Sequence, residues 1–300
     1  MKKKVLIIGK GSSGLRFKKK LEKKYKILNI SSKKLNKNSI RDLIFDLIII
    51  SSPASFHIKH LKIYKKYSDT FLIEKPLTDS LSKLKSLKNF ETKKIFVNYN
   101  LREINLIQKF KKIINQIKNK GKLQFCNVYC GSNVINWRKK NFKKSVSFSK
   151  KLGGGSILEL SHELDLIYKF FGKPSKVISI KKKISKKTKD VEDIFISQMY
   201  FKKINLLLTL NLNFLDNYNK RYIEFNYTNY NFKLDLVNHK LLIINEKKKK
   251  IIKFNNNLDD TYFIIPDKIL NKDYTNLCSF DESKKISKFI LTLRNNSINF

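Results

Sequence analysis

Short apolar runs alternate with amphipathic stretches over the first hundred residues, and a period-two pattern takes over after about residue 175. The runs 4–8, 26–30, 46–51 and 70–73 are rich in Ile, Leu and Val and too short for helices, so they read as buried strands. After the first of them, Phe17, Leu21 and Tyr25 recur at i, i+4 and i+8 among lysines, an amphipathic helix. A second helix is expected after Pro53, running to about Tyr67. Strands and helices alternating in this way predict a doubly wound parallel sheet over residues 1–100. The segments 176–183, 193–202, 204–215, 221–228, 231–237 and 240–245 alternate apolar and polar positions, which predicts a largely antiparallel sheet with one buried face. A closing helix is expected at about 281–294.

The fold class is therefore α/β: an N-terminal doubly wound parallel sheet over 1–100, then a C-terminal α+β domain with an open-faced sheet over 101–300. A chain of 300 residues has apolar content enough for such cores.

Charge is the most conspicuous number, 65 basic against 24 acidic side chains for a net +41. Only six of the basic residues are arginines, and the 59 lysines are spread along most of the chain. Phosphate-clamping and base-reading surfaces favour the planar arginine fork, so the excess reads as solvated lysine rather than a nucleic-acid surface. A polyanion or nucleic-acid binder remains the alternative class. Cys126, Cys130 and Cys278 form no disulfide framework and no C-x-x-C pair, and no metal site is expected. The apolar run after Lys2–Lys4 stops at Gly9, too short for a signal peptide core, and no uninterrupted apolar stretch offers a membrane span. A cytoplasmic, soluble protein is the expectation.

Glycine is scarce, and six of the nine glycines fall in two clusters. Gly9, Gly11 and Gly14 form G-x-G-x-x-G between the first strand and first helix, the context of a dinucleotide-binding turn. Gly9 permits the tight turn, Gly11 lets a pyrophosphate approach the backbone, and Gly14 allows close helix–strand packing. Lys10, Ser12 and Ser13 complete the turn at the helix N-terminus. The second strand ends in Ser31-Ser32-Lys33 with no carboxylate to accept from a ribose 2′-OH, so NADP(H) is favoured, with NAD(H) the alternative. Ser52, Pro53, His57, Glu74, Lys75 and Pro76 follow strand C-termini, where cofactors lie in such sheets.

Five ordered segments, GKGSSG (9–14), SSPASFH (51–57), IEKPL (73–77), VNYNLRE (97–103) and GGGSILELSHELDLIYKFFG (153–172), resemble the glucose–fructose oxidoreductase / inositol dehydrogenase (Gfo/Idh/MocA) family. Trp137-Arg138 and the stretch 145–149 resemble a subgroup associated with surface-sugar biosynthesis. The resemblance implies a Rossmann domain, an open-faced C-terminal sheet through which relatives often pair as homo-oligomers, and hydride transfer on a sugar, sugar nucleotide or cyclitol. It implies that Lys75 lies near nicotinamide and substrate, with the Lys75–Pro76 bond often cis. A family member that holds the cofactor without catalysis is a further alternative.

Alcohol oxidation needs a base for the hydroxyl proton, and histidine suits that role near neutral pH. His162 lies on an apolar-patterned helix with Glu159 three residues before and Asp165 three after, a spacing that places carboxylates beside it. Relatives often carry Asp four before this His, where this chain has Leu158, so Asp165 is the better-supported catalytic carboxylate and Glu159 a substrate candidate. Asn98, Arg102, Trp137 and Arg138 are the other substrate candidates, the two arginines either gripping an anionic substrate or pairing with an acid such as Glu103. His60 and His239 read as surface or packing residues.

Overall fold

A computed structural model of the chain describes residues 2–33, 40, 43–87, 90, 92–133, 145–186, 190–255 and 257–299. It divides into two compact units, Met1–Glu103 with Asn257–Lys288, and Ile104–Asn256 with Phe289–Phe300.

The first unit begins β1 (Lys4–Ile8), α1 (Ser12–Leu21), β2 (Lys26–Ile30), β3 (Leu47–Ile50), α2 (His57–Tyr64), β4 (Thr70–Glu74), α3 (Leu81–Lys85) and β5 (Lys94–Asn98). These five strands are parallel and lie in the order β5-β4-β3-β1-β2. Val5, Leu6, Ile7 and Ile8 of β1 and the four residues of β3 are fully buried, which explains their unbroken apolar sequence. The chain leaves β1 for β2 on one side and then crosses to β3 on the other. Strand order thus reverses between β1 and β3, and the crevice beyond their C-terminal ends is the topological switch point.

The second unit opens with α4 (Asn105–Gln116) and β6 (Leu123–Gly131), then α5 (Ser156–Glu159) and α6 (Ser161–Phe171). It continues through β7 (Lys176–Lys182), β8 (Ile194–Phe201), β9 (Leu206–Asn213), β10 (Lys220–Tyr227), β11 (Asn231–Asp235), β12 (Lys240–Ile244) and β13 (Lys249–Lys253). The sheet is largely antiparallel, but β6 sits at its centre, antiparallel to β10 and parallel to β9. Helices α4 and α6 cover one face: Phe110 and Phe170 meet Phe225 of β10 with ring centroids 4.7 and 5.8 Å apart. On the opposite face Phe125 and Leu207, partners in register, are 43% and 49% exposed.

The chain then returns to the first unit with α7 (Thr261–Leu270) and β14 (Cys278–Ser279), which pairs antiparallel with β5. This differs from a single boundary near residue 100. The reason is apolar area: α7 buries Tyr262, Ile265, Ile269 and Leu270 in one cluster with Phe17 and Leu21 of α1. The Phe17 and Tyr262 rings meet edge-on at 4.7 Å. The last helix, α8 (Phe280–Asn296), contains the division, and a short β15 (Ile298–Asn299) runs beside β7. Among the described residues no helix is long and apolar enough to cross a membrane.

Leu21→Ala leaves a cavity between α1, α7 and the sheet, and should cost about 3 kcal/mol. Urea unfolding checks it; a loss below about 1 kcal/mol would mean that α7 does not pack there.

Candidate active site

The glycine turn sits at the switch point. Gly9 has φ +131°, and a Cβ on it would lie 2.7 Å from the carbonyl oxygen of Ser51 at the end of β3. A Cβ on Gly14 would lie 2.0 Å from the Gly9 carbonyl oxygen, so only glycine lets α1 approach the turn this closely. Gly11 differs: no heavy atom lies within 4 Å of the place its Cβ would occupy. Open space thus stands before the first turn of α1, whose N–H groups have no intrahelical acceptor. That combination of tight seat and open approach fits a dinucleotide pyrophosphate. Lys10, Gly11 and Ser12 are exposed, and Ser13 is half-buried. Sequence reasoning passed over Asn29, whose amide donates to the Ile7 and Gly9 carbonyls at 3.1 and 2.9 Å and ties the turn to β2.

Past β2, Ser31 and Ser32 are half-buried and Lys33 is exposed, with the Lys33 N–H donating to the Ser31 hydroxyl at 3.3 Å. At the end of β3, Ser52 is buried and Pro53 half-buried. His57 opens α2 almost fully buried, its Nδ1 2.9 Å from the Pro76 carbonyl oxygen and its Nε2 2.8 Å from that of Ser52. Both ring nitrogens thus face the backbone of strand ends, and His57 braces the ends of β3 and β4. His60, expected at the surface or in packing, is buried as well, because α2 turns it inward, where its Nδ1 lies 2.8 Å from the Ser52 hydroxyl. Burial lowers the pKa of both histidines, that of His60 to about 4.

Glu74 and Lys75 end β4 half-buried, and the Lys75–Pro76 peptide is cis. Burial pushes the Glu74 carboxyl up, against the Asn98 amide, which donates to it at 2.8 Å. Asn98, a substrate candidate, is thereby turned toward Glu74. Arg102 is 2% exposed and grips Glu282, 180 residues on, with two hydrogen bonds of 2.7 and 2.9 Å. Glu103 accepts from Lys268 at 3.1 Å. Trp137 and Arg138 lie outside the described residues.

In the second unit, Gly153 (φ +82°) and Gly155 (φ +109°) carry the chain into α5. Arg294 clamps this entry, one guanidinium nitrogen donating at 3.1 Å to both the Gly154 carbonyl and the Glu192 carboxylate. The helix expected to run through His162 breaks at Leu160 (φ −97°, ψ 30°), where a one-turn helix closes and α6 starts. Glu159 is therefore not one turn before His162 on a shared helix, whereas Asp165 is one turn after it. His162 and Glu159 are half-buried and Asp165 is fully buried. The neighbouring Glu163, fully buried, receives two hydrogen bonds from Arg221 of β10 at 2.5 and 3.1 Å, which fixes α6 on the sheet. Only the rarity of arginine hinted at this pair. Among the described residues no group of three or more His, Cys, Asp or Glu side chains is gathered to hold a metal.

No family model matches the chain, and no curated protein does. Solved structures do. UDP-N-acetylglucosamine 3-dehydrogenase GnnA from Acidithiobacillus ferrooxidans is similar with a TM-score of 0.77 at 14% identity, over 99% of this chain and 98% of that one. An oxidoreductase from Agrobacterium radiobacter in complex with NAD+, L-tartaric acid and magnesium gives 0.79 at 13%, over 99% and 97%. Myo-inositol 2-dehydrogenase from Lactobacillus plantarum gives 0.75 at 16%, over 98% and 97%. The chain has their fold along essentially its whole length.

The two buried histidines have a consequence for stability. As pH falls below about 6.5 the unfolded chain protonates these rings, while the folded chain leaves His60 neutral down to about 4. Stability is thus present above about 6.5 and lost through that window, by up to about 3 kcal/mol for His60. Urea midpoints measured from pH 7 to 4.5 should fall, and fall less steeply in His60→Gln. Superimposable slopes would mean that His60 is not held neutral.

Proposed function

We propose that this chain is an NAD(P)-dependent oxidoreductase that moves a hydride between nicotinamide and a hydroxyl or keto carbon of a sugar, sugar nucleotide or cyclitol. The observation that carries the reading is the glycine turn at the β1–β3 switch point, tight at Gly9 and Gly14 and open at Gly11, with Lys75 at the end of neighbouring β4. The sugar and cyclitol dehydrogenases among the solved structures of this fold support the substrate class.

Gly9, Gly11, Gly14 and the first turn of α1 would hold the pyrophosphate, and Ser31, Ser32 and Lys33 the ribose end. Hydroxyls and a cation without a carboxylate favour a 2′-phosphate, hence NADP(H) over NAD(H). When bound, the nicotinamide supplies the hydride acceptor or donor. His162 is assigned as the base that takes the hydroxyl proton during oxidation and returns it during reduction. Asp165, one turn along α6, supports the imidazolium formed, and the Arg221–Glu163 pair keeps that helix seated. Lys75 is assigned as the cation that stabilises the developing alkoxide. A second copy of the chain is assigned to the exposed face of the second sheet at Phe125 and Leu207.

Reduced cofactor fluorescence should report NADPH binding tighter than NADH, and the reverse order would overturn the NADP(H) preference. Lys75→Ala should leave NADPH binding within about threefold while lowering turnover of a keto-sugar by about 10²-fold or more. A wild-type chain that binds neither reduced nucleotide sinks the assignment. Leu207→Glu should shift the mass measured by light scattering to that of a monomer, and an unchanged mass would place the second copy elsewhere.

A further inference from the structure

The last helix reaches back to the glycine run that leads to His162. Arg294, in the final turn of α8, donates from one guanidinium nitrogen to the Gly154 carbonyl and to the Glu192 carboxylate, at 3.1 Å each. Glu192 in turn accepts the Ser156 N–H on its own backbone carbonyl at 3.0 Å. Two residues earlier, Asp190 accepts the Lys150 N–H at 3.0 Å. Residues 190–192 therefore lie along 150–156 as a splint held at both ends, and Arg294 closes it. Both side chains of the pair are sheltered, 14% exposed for Arg294 and 9% for Glu192, so solvent screens their contact little.

The glycines are shaped to this fastening. A Cβ on Gly155 would lie 2.3 Å from Glu192 Oε1, and one on Gly154 would lie 2.3 Å from the Val146 carbonyl oxygen. Gly155 also donates its N–H to the Ser147 carbonyl at 3.1 Å. Three segments thus converge on a run without side chains, which makes it a seat rather than a hinge. From the seat the order passes forward. The Gly155 and Ser156 carbonyls accept from the Glu159 and Leu160 N–H groups at 3.0 and 2.9 Å, and Leu160 is the break that precedes Ser161 and His162. On the far side of His162, Arg221 holds Glu163. The His162 backbone is bracketed by two arginine–glutamate pairs.

We infer that Glu192 and Arg294 are positioning residues for His162: the pair locks the glycine entry, and so fixes where α5 and the break at Leu160 deliver the imidazole. Neither side chain touches substrate or cofactor in this role. Placement of a base matters because proton transfer needs hydrogen-bond reach, and a displacement of about 1 Å costs on the order of 10²-fold in rate. The inference rests on the assignment of His162 as the base and names what aims it.

The chain has four histidines, so imidazole resonances of the full chain report each ring separately. Arg294→Met removes both hydrogen bonds and keeps the aliphatic stem. The His162 signal should shift or broaden, while His239, between β11 and β12, and His57 and His60 of the first unit keep theirs. Glu192→Ala should act alike, whereas Glu192→Gln, which still accepts from Arg294, should keep the wild-type signal. With NADPH and a keto-sugar, Arg294→Met should lower kcat at least about 30-fold and leave KM and NADPH binding within about threefold. An unmoved His162, an unchanged kcat, or movement of His239 along with His162 overturns the inference, since a merely structural pair would loosen the whole second unit. A wild-type chain inactive on every keto-sugar, whose His162 still answers to Arg294→Met, overturns the base assignment and leaves the clamp standing. Should both disruptive variants fail to fold, amide exchange in the wild type decides. Protection of Gly155–Leu160 equal to that of α6 supports the seat, and exchange as fast as in an open turn overturns it.

Discussion

The backbone of Gly14 passes so near the carbonyl of Gly9 that a side chain on it would need to occupy the same space. Much of the first unit follows from that contact. It seats the start of α1 directly on the end of β1, and so aims the helix's apolar stripe, Phe17 and Leu21, at the sheet and at α7. It brings the Gly9 turn against Ser51 at the end of β3, on the far side of the switch point. Between the buried Gly9 and Gly14, Gly11 faces open space. A tight seat and an accessible backbone thus stand side by side.

Arginine and lysine divide the electrostatic work. The abundant lysines stand mostly at the surface, where ion pairs such as Lys20–Asp260 are half-exposed and contribute little. Three of the six arginines make pairs inside the molecule: Arg102 with Glu282, Arg221 with Glu163, and Arg294 with Glu192. Each fastens an irregular or functional segment, and each exploits a planar group that can satisfy two acceptors at once. The large net charge and the structural role of charge therefore rest on different residue types.

How much was legible in the chain follows from what each element touches. The strands β1, β3 and β4 were plain because burial on both faces leaves no room for polar residues. The glycine turn was plain because no other residue could stand at Gly9 or Gly14. Strand β6 was hidden, although it is the centre of its sheet: LQFCNVYCG mixes Gln, Asn, Cys and Gly, and its apolar partners come from β9 and β10, some eighty to a hundred residues away. Helix α7 was hidden for a related reason. Its run TYFIIPDKIL carries Pro266 and lacks a clean polar face, and only contact with α1 makes sense of it. The partner of Arg102 and the inward turn of His60 are likewise products of tertiary packing. So is the break at Leu160, which a continuous apolar pattern conceals.

The return of residues 257–288 to the first unit also governs how the chain is made. During synthesis the N-terminal strands emerge long before α7, and the whole of β6 to β13 must leave the ribosome before Tyr262 can reach Phe17. Until then the outer stripe of α1 stays bare, a sticky surface on a nascent chain. The lysines set along that helix, Lys18, Lys19 and Lys20, give the waiting surface a repulsive border. A unit interrupted in this way closes last where it began first, which makes α7 the latch of biogenesis as well as a layer of the core.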